Sequence, residues 1–408
     1  MKKVTVIGLG YIGLPTACLI ASKKIEVLGV DVNPEVINLA KEGRINVNEP
    51  DLVGLFKEVV EEGYLKIALK LDYADVFIIC VPTPFKDGNK PDLTYVKKAI
   101  DSIIPYIRKG NLIIIESTCP VGTTQKIRDL IYSKISNPSD IKDNIYLAYC
   151  PERVIPGKIL YELVHNDRII GGINEVSSKK AKDFYNQFVQ GGLHVTDAKT
   201  AEMCKLTENA FRDVNIAFAN EISLICDQLG INVSELISLA NKHPRVNILK
   251  PGCGVGGHCI AVDPWFIVDT TPNLAKLIKK AREINLYKTD WTIKKIQENI
   301  KFFETKKKKK PIIAILGITY KPDVNDLRES PALKVAEFLV KDGNFIYIIE
   351  PNLIQLPESL RIYKNVKKSD LNIIPEMDMI VLLVDHKEFK ELDKDKLNAK
   401  IFMDMVGI

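Results

Sequence analysis

The chain has 408 residues, a formal net charge of +5, 46% hydrophobic residues and 27% charged residues. That length exceeds one ordinary core and predicts two or three domains, and the composition is globular, excluding disordered and fibrous classes. The mild positive charge suits an anionic small ligand without marking a nucleic-acid surface, and past the N-terminus no segment offers the roughly 18 apolar residues of a membrane span.

The N-terminal stretch MKKVTVIGLGYIGLPTACLIASKK places lysines before an apolar run, as a secretory leader does. Gly8, Gly10, Gly13 and Pro15 interrupt that run. KVTVIGLG instead predicts a short buried strand, IGLPTACLIASKK a helix, and EVLGVDVN a second strand ending at Asp31. ADVFIICVPTP is a further buried strand closed by a Pro-Thr-Pro turn, PDLTYVKKAIDSIIPYI a helix, and GNLIIIESTCPVGTT another strand. NIYLAYCPERVIPG and DRIIGG follow. Strands alternating with helices predict an α/β fold with a parallel doubly wound sheet.

After about residue 196 the periodicity becomes helical, and DAKTAEMCKLTENAFRDVNIAFANEISLICDQLG predicts one long helix, a spine able to pair with a second subunit. The run Lys306–Lys310 reads as a solvated linker before a fresh strand. From Pro311 a second α/β unit begins: strand IIAILGITY, loop KPDVNDLRES, helix PALKVAEFLVKDG, strand FIYIIEP, then MDMIVLLVDH and KIFMDMVG. Its strand–glycine–helix–strand–acid outline repeats the first unit. Three domains are therefore expected: 1–195, 196–300 and 311–408. The eight cysteines form no disulfide framework; Cys80 and Cys226 sit in apolar runs, and a reducing cytoplasm is the expected setting.

Gly8, Gly10 and Gly13 spell G-x-G-x-x-G between a strand and a helix. The first permits a tight turn, the second lets a pyrophosphate approach the backbone, and the third lets helix and strand pack closely. The helix N-terminus faces the phosphates. Asp31 stands where a carboxylate bonds the ribose hydroxyls and repels a 2′-phosphate, which favours NAD over NADP. Thr83 and Thr118 close two further strands, where ligands of such sheets bind; ordinary turn chemistry accounts for them equally well.

PGCGVGGHCIAVDP, residues 251–264, concentrates glycine with Cys253, His258, Cys259 and Asp263. On residue types alone three readings stay open: a flexible turn with an incidental cysteine, a metal knuckle, or a loop carrying a reactive thiol. No second C-x-x-C or histidine pair supports the metal. Lys205 and Asn209, four apart on the long helix, share one face and could hold an oxyanion, although a charge-rich helix offers many such pairs.

The motifs GLGYIGLP, VPTP, ESTCPVGTT, YCPERVIPG, KLTENAFRDVNIAFANE, PGCGVGGHCIAVDPWF and GITYKPDVNDLRESPA occur in this order. Together they resemble the UDP-glucose/GDP-mannose dehydrogenase family along nearly the whole chain. The resemblance implies two Rossmann-like domains joined by a helical region with a long connecting helix that makes a homodimer. It implies NAD as cofactor, no metal, a UDP-sugar substrate, and oxidation of its C6 to a carboxylate. Cys259 matches the nucleophile that forms a thiohemiacetal and then a thioester. Lys205 and Asn209 match the oxyanion-stabilising pair, with Lys205 also in proton transfer, and Asp263 the carboxylate working with Lys205 and a water. Glu152 matches the residue that helps activate the hydrolytic water, and Thr118 a threonine touching water and cofactor. Gly8, Gly10, Tyr11, Ile12, Gly13, Asp31, Thr83 and Arg328 fall at cofactor positions. Arg153, Val154, Arg212, His243, Arg245, Gly256, Tyr320 and Lys321 fall at substrate positions, with Lys205 and Asn209.

The segment Ile260–Phe266, IAVDPWF, is most similar to the branch acting on UDP-N-acetylmannosamine. Relatives using UDP-N-acetylglucosamine tend to read IPIDPFY, and those using UDP-glucose follow the cysteine with Phe-Pro-Lys-Asp. Both remain alternatives. One departure is that Met405, where many relatives carry a basic residue, follows Asp404. A non-catalytic NAD and nucleotide-sugar binding protein is the reading from a different class. The joint presence of Cys259, Lys205, Asn209 and Asp263 speaks against it.

Overall fold

The computed structural model describes residues 3–47, 49–86, 88–135, 144–155, 157–390, 392 and 401–407. They fall into two compact units, Met1–Glu208 with Trp265–Thr270, and Asn209–Pro264 with Thr271–Ile408.

The first unit is built on strands β1 (Lys3–Ile7), β2 (Glu26–Val30), β3 (Leu65–Ala68) and β4 (Val76–Ile79), a short hairpin of β5 (Phe85–Lys86) and β6 (Lys90–Pro91), then β7 (Leu112–Ile115), β8 (Tyr146–Tyr149), β9 (Arg168–Gly172) and β10 (Leu193–Asp197). All but the hairpin form one sheet in the order β10-β9-β8-β7-β4-β1-β2-β3. The central strands VFII and LIII are buried at every position. Such unbroken β-branched runs are what a sheet covered on both faces requires. The helix Gly13–Ala21 is likewise buried throughout and packs on β1 and β2. The strand order reverses beside β1, where a doubly wound sheet opens a crevice at its carboxyl ends.

One junction departs from the all-parallel expectation. β8 and β9 pair antiparallel, Ala148 against Gly172, while β9 and β10 pair parallel. The connection 150–167 returns the chain to the sheet at the end where β8 finished, so β9 must run back. That connection carries Glu152 and Arg153 at the carboxyl end of β8.

The second unit contains a five-stranded parallel sheet in the order β13-β12-β11-β14-β15, from β11 (Ile313–Leu316), β12 (Ile346–Ile349), β13 (Val366–Ser369), β14 (Met379–Leu382) and β15 (Ile401–Asp404). The long helix is present as Ala198–Leu229, and a second of equal length, Lys276–Lys307, follows it. A buried polar seam joins them: Arg282 donates to Asp213 at 2.6 Å, Asn285 to Asp213 at 2.8 Å, and Asn220 to Asn285 at 2.8 Å. The lysine run is not wholly linker, because Lys306 and Lys307 form the last helical turn and Lys308 caps it. Cations there face the negative end of the helix dipole. The fold is thus mixed α/β, with Rossmann-like N- and C-terminal domains and a central helical domain. Among the described residues no helix is long and apolar enough to cross a membrane.

Candidate active site

In the first unit the glycine loop leaves β1 at Gly8, whose φ of +90° and neighbouring Cys80 carbonyl, 2.6 Å from where a Cβ would stand, exclude other residues. Space around Gly10 is open, nothing lying within 4 Å of a Cβ placed there. Tyr11 is exposed and Ile12 precedes the helix that Gly13 begins. The Asp31 carboxylate accepts from Leu9 N at 2.8 Å and Asn33 N at 2.9 Å, so it is clamped at the end of β2 beside the loop. Each of its oxygens keeps a second lone pair. A backbone cradle with room above it and an oriented carboxylate fits the pyrophosphate and ribose of NAD. Thr83 and Thr118 lie, half-buried, past the ends of β4 and β7.

Lys205, buried on the long helix, donates from Nζ to the Glu152 carbonyl at 2.7 Å. The Glu152 carboxyl accepts from Val154 N. Burial raises its pKa above the usual carboxylate range, with Lys205 pulling the other way. Arg153 forks onto Glu208, with contacts of 2.8 and 3.1 Å. Beneath lies a cluster the sequence reading missed: Glu116 takes Arg168 at 3.0 Å and the Tyr185 hydroxyl at 2.6 Å. Arg168 also stands 4.5 Å from the Tyr185 ring centroid. Three residues from distant strands and a helix give no local signal, although a glutamate ending an otherwise apolar LIIIE run is an anomaly that asks for a partner.

In the second unit Cys259, half-exposed, closes a turn in which Val262 N and Asp263 N donate to its carbonyl at 3.0 and 2.8 Å. That turn starts the helix Asp263–Thr270 and buries Asp263, which accepts from Asn209 Nδ2 at 2.6 Å. Gly257, at φ +81°, lies under the Tyr320 ring, 2.9 Å from where its Cβ would be, and donates from N to Arg328 O at 2.9 Å. Gly256 is buried in the same turn. The Cys259 loop and the 317–330 loop are therefore interlocked. Burial raises the pKa of Tyr320, assisted by Asp326 and Cys259 and opposed by Arg328 and Arg212. Lys321 Nζ stands 5.7 Å from the Tyr320 ring centroid.

Arg328 is exposed and engaged with Asp326, at 2.6 to 3.0 Å. Against the opposing effect of burial, that fork holds Asp326 below the usual carboxylate range. Arg212 is exposed on the long helix. His243 and Arg245 share an exposed turn, His243 Nδ1 accepting from Arg245 N at 3.3 Å. Cys253 faces the core, near Leu383 O at 3.6 Å, and burial pushes its thiol up to about 12. Two anchors of the Cys259 loop were not foreseen: Asn220 accepts from Gly252 N at 2.9 Å, and Thr289 donates to Cys253 O at 2.9 Å.

Residues 2–189 match the UDP-glucose/GDP-mannose dehydrogenase family NAD binding domain, 199–287 its central domain and 314–408 its UDP binding domain. A UDP-N-acetyl-D-mannosamine dehydrogenase of Campylobacter jejuni is 51% identical over 405 residues, spanning 97% of this chain and 98% of that protein. An NDP-N-acetyl-D-galactosaminuronic acid dehydrogenase of Ralstonia nicotianae is 47% identical over 413 residues, spanning 100% of this chain and 96% of that protein. The solved UDP-N-acetyl-mannosamine dehydrogenase of Staphylococcus aureus superposes with a TM-score of 0.84 at 41% identity, over 99% of this chain and 94% of that one.

Proposed function

The chain belongs to the UDP-glucose/GDP-mannose dehydrogenase family as an NAD-dependent UDP-sugar dehydrogenase, and from that premise we propose that it oxidises C6 of UDP-N-acetyl-D-mannosamine to the uronate through a covalent intermediate on Cys259. The observation that carries the chemistry is the half-exposed Cys259 held by the turn that also buries Asp263 against Asn209. The mannosamine assignment draws support from the segment Ile260–Phe266 and from the relatives named for that sugar.

When bound, NAD+ accepts a hydride from C6 in each of two oxidations. The Cys259 thiolate adds to the C6 aldehyde, giving a thiohemiacetal that keeps a second C–H bond and prevents the aldehyde from leaving. After the second oxidation C6 is a thioester, and water cleaves the C–S bond to release the acid and regenerate the thiol. In this reading the Lys205 ammonium and the Asn209 amide stabilise the C6 oxyanion, and Asp263 works with Lys205 in proton transfer. Glu152, whose burial favours the neutral acid, exchanges a proton with the hydrolytic water, which Thr118 orients. Arg153, Val154, Arg212, His243, Arg245, Gly256, Tyr320 and Lys321 bind the nucleotide sugar. Gly8, Gly10, Tyr11, Ile12, Gly13, Asp31, Thr83 and Arg328 hold NAD.

We also propose the division 1–195, 196–300 and 311–408, a cytoplasmic setting, and a homodimer through the long helix. The dimer is supported by Phe211, Phe218 and Ile225, spaced by seven and all exposed. A panel of UDP-N-acetylmannosamine, the N-acetylglucosamine and N-acetylgalactosamine epimers and UDP-glucose, scored for NADH per sugar, tests the function. Two NADH per N-acetylmannosamine is the expected yield, falling by a factor of about a thousand or more in rate for Cys259→Ser. A single NADH with free aldehyde would sink the covalent route, and faster turnover of another epimer would reassign the substrate.

A further inference from the structure

The two Rossmann-like units share a backbone latch. In the first, Asp31 accepts from the residue after Gly8 and from Asn33. In the second, Glu350, just past β12, accepts from Ile318 N at 2.8 Å, one residue after Gly317, from Thr319 N at 3.2 Å and from Asn352 N at 3.0 Å. The surroundings of the two carboxylates differ. Asp31 is half-exposed, whereas Glu350 is 1% exposed and covered by His386, itself 0% exposed.

The partners of His386 define its state. Its Nδ1 faces two donors, Asp323 N at 2.9 Å and Asn352 Nδ2 at 3.0 Å, so that nitrogen accepts. The proton is on Nε2, directed to Glu350 Oε2 at 3.1 Å and Thr319 Oγ1 at 3.3 Å. The Thr319 hydroxyl in turn donates to Lys321 O at 3.0 Å. Burial works against charge on Glu350, yet hydrogen bonds from His386 and Ile318 outweigh it and hold the carboxyl below its usual range. Asp323, His386 and Glu388 cluster closely enough to suggest a cation site. Both imidazole nitrogens are committed to these hydrogen bonds, so the cluster is a hydrogen-bonded latch.

We propose that His386 is a positioning residue for the nucleotide sugar: through Glu350, Thr319 and the Asp323 backbone it holds the 318–323 segment, and with it Tyr320 and Lys321, in the conformation that receives substrate. The position that reads ribose in the first unit has become an internal fastening in the second. The proposal rests on the reading that Tyr320 and Lys321 contact the UDP-sugar.

The test compares full-length wild type, His386→Ala and His386→Asn. Calorimetry measures binding of UDP and of UDP-N-acetylmannosamine without NAD, and steady-state kinetics gives kcat and both KM values. His386→Ala should weaken sugar-nucleotide binding and raise its KM about tenfold, with KM for NAD and kcat changed by less than about threefold. His386→Asn, whose Oδ1 can accept from Asp323 N in place of Nδ1, should recover part of the loss. If His386→Ala does not fold, His386→Asn alone decides, by the same selective rise in KM for the sugar. Unchanged sugar-nucleotide affinity, or equal losses for sugar and NAD, would overturn the proposal. A wild type that binds UDP but makes no NADH would instead defeat the dehydrogenase reading.

Discussion

Asn209 holds a buried contact that folding needs, and in the proposed mechanism the same side chain stabilises the C6 oxyanion. Its amide donates to Asp263 at 2.6 Å in a place where both residues are buried. Taking a donor away from a buried acceptor costs about 1–3 kcal/mol. Asn209→Ala should therefore lower the melting temperature and slow acid formation together. Asn209→Asp should be worse, because it sets two buried carboxylates against each other. Melting curves and NADH release measure the pair, and an Asn209→Asp protein as stable as wild type would contradict the argument. The spacing of Lys205 and Asn209 was legible as one face of a helix. The partners were not, because Asp263 and the Glu152 carbonyl come from loops 54 and 53 residues away.

At the scale of elements, the seam between the two 32-residue helices is unusual for its charge. Lys288 is buried, donates to Ser223 Oγ at 2.8 Å and lies 4.0 Å from the Trp291 ring centroid. Burial lowers its pKa to about 8. In the unfolded chain a lysine titrates near about 10.4. Between those values the unfolded state binds more protons, so this group's contribution to stability rises with pH and is lost below about 8. Lys288→Met removes the dependence. The melting temperature of Lys288→Met minus that of wild type should fall as pH rises from about 7.5 to about 10. A difference that stays constant would show that Lys288 is not the titrating group. The first helix was legible because its apolar period is long and free of glycine. The pairing of the two helices was not legible, because Arg282 and Asn285 meet Asp213 from 69 and 72 residues away.

For the whole molecule, Phe211, Phe218 and Ile225 stand exposed along the long helix. Residues seven apart return to the same helix face, as in a two-helix seam. In the proposed homodimer Phe218→Asp puts a charge into the contact; sedimentation is expected to report dimer for wild type and monomer for the variant at micromolar concentration. Wild type that is monomeric under the same conditions would remove the dimer altogether.

The sequence by itself determined what depends on local order. The glycine loop, Asp31, the buried parallel strands, the long helix and the Cys259 loop are written in contiguous residues, because turn geometry, periodicity and close backbone approach are local demands. Only the tertiary structure decided the antiparallel β9, the Glu116–Arg168–Tyr185 cluster, the Asn220 and Thr289 anchors, and the enclosure of Glu350 by His386. The direction of β9 follows from where its connection returns to the sheet, and each of the others satisfies a buried polar group with a partner brought from far along the chain. No local pattern encodes which distant residue will meet that need.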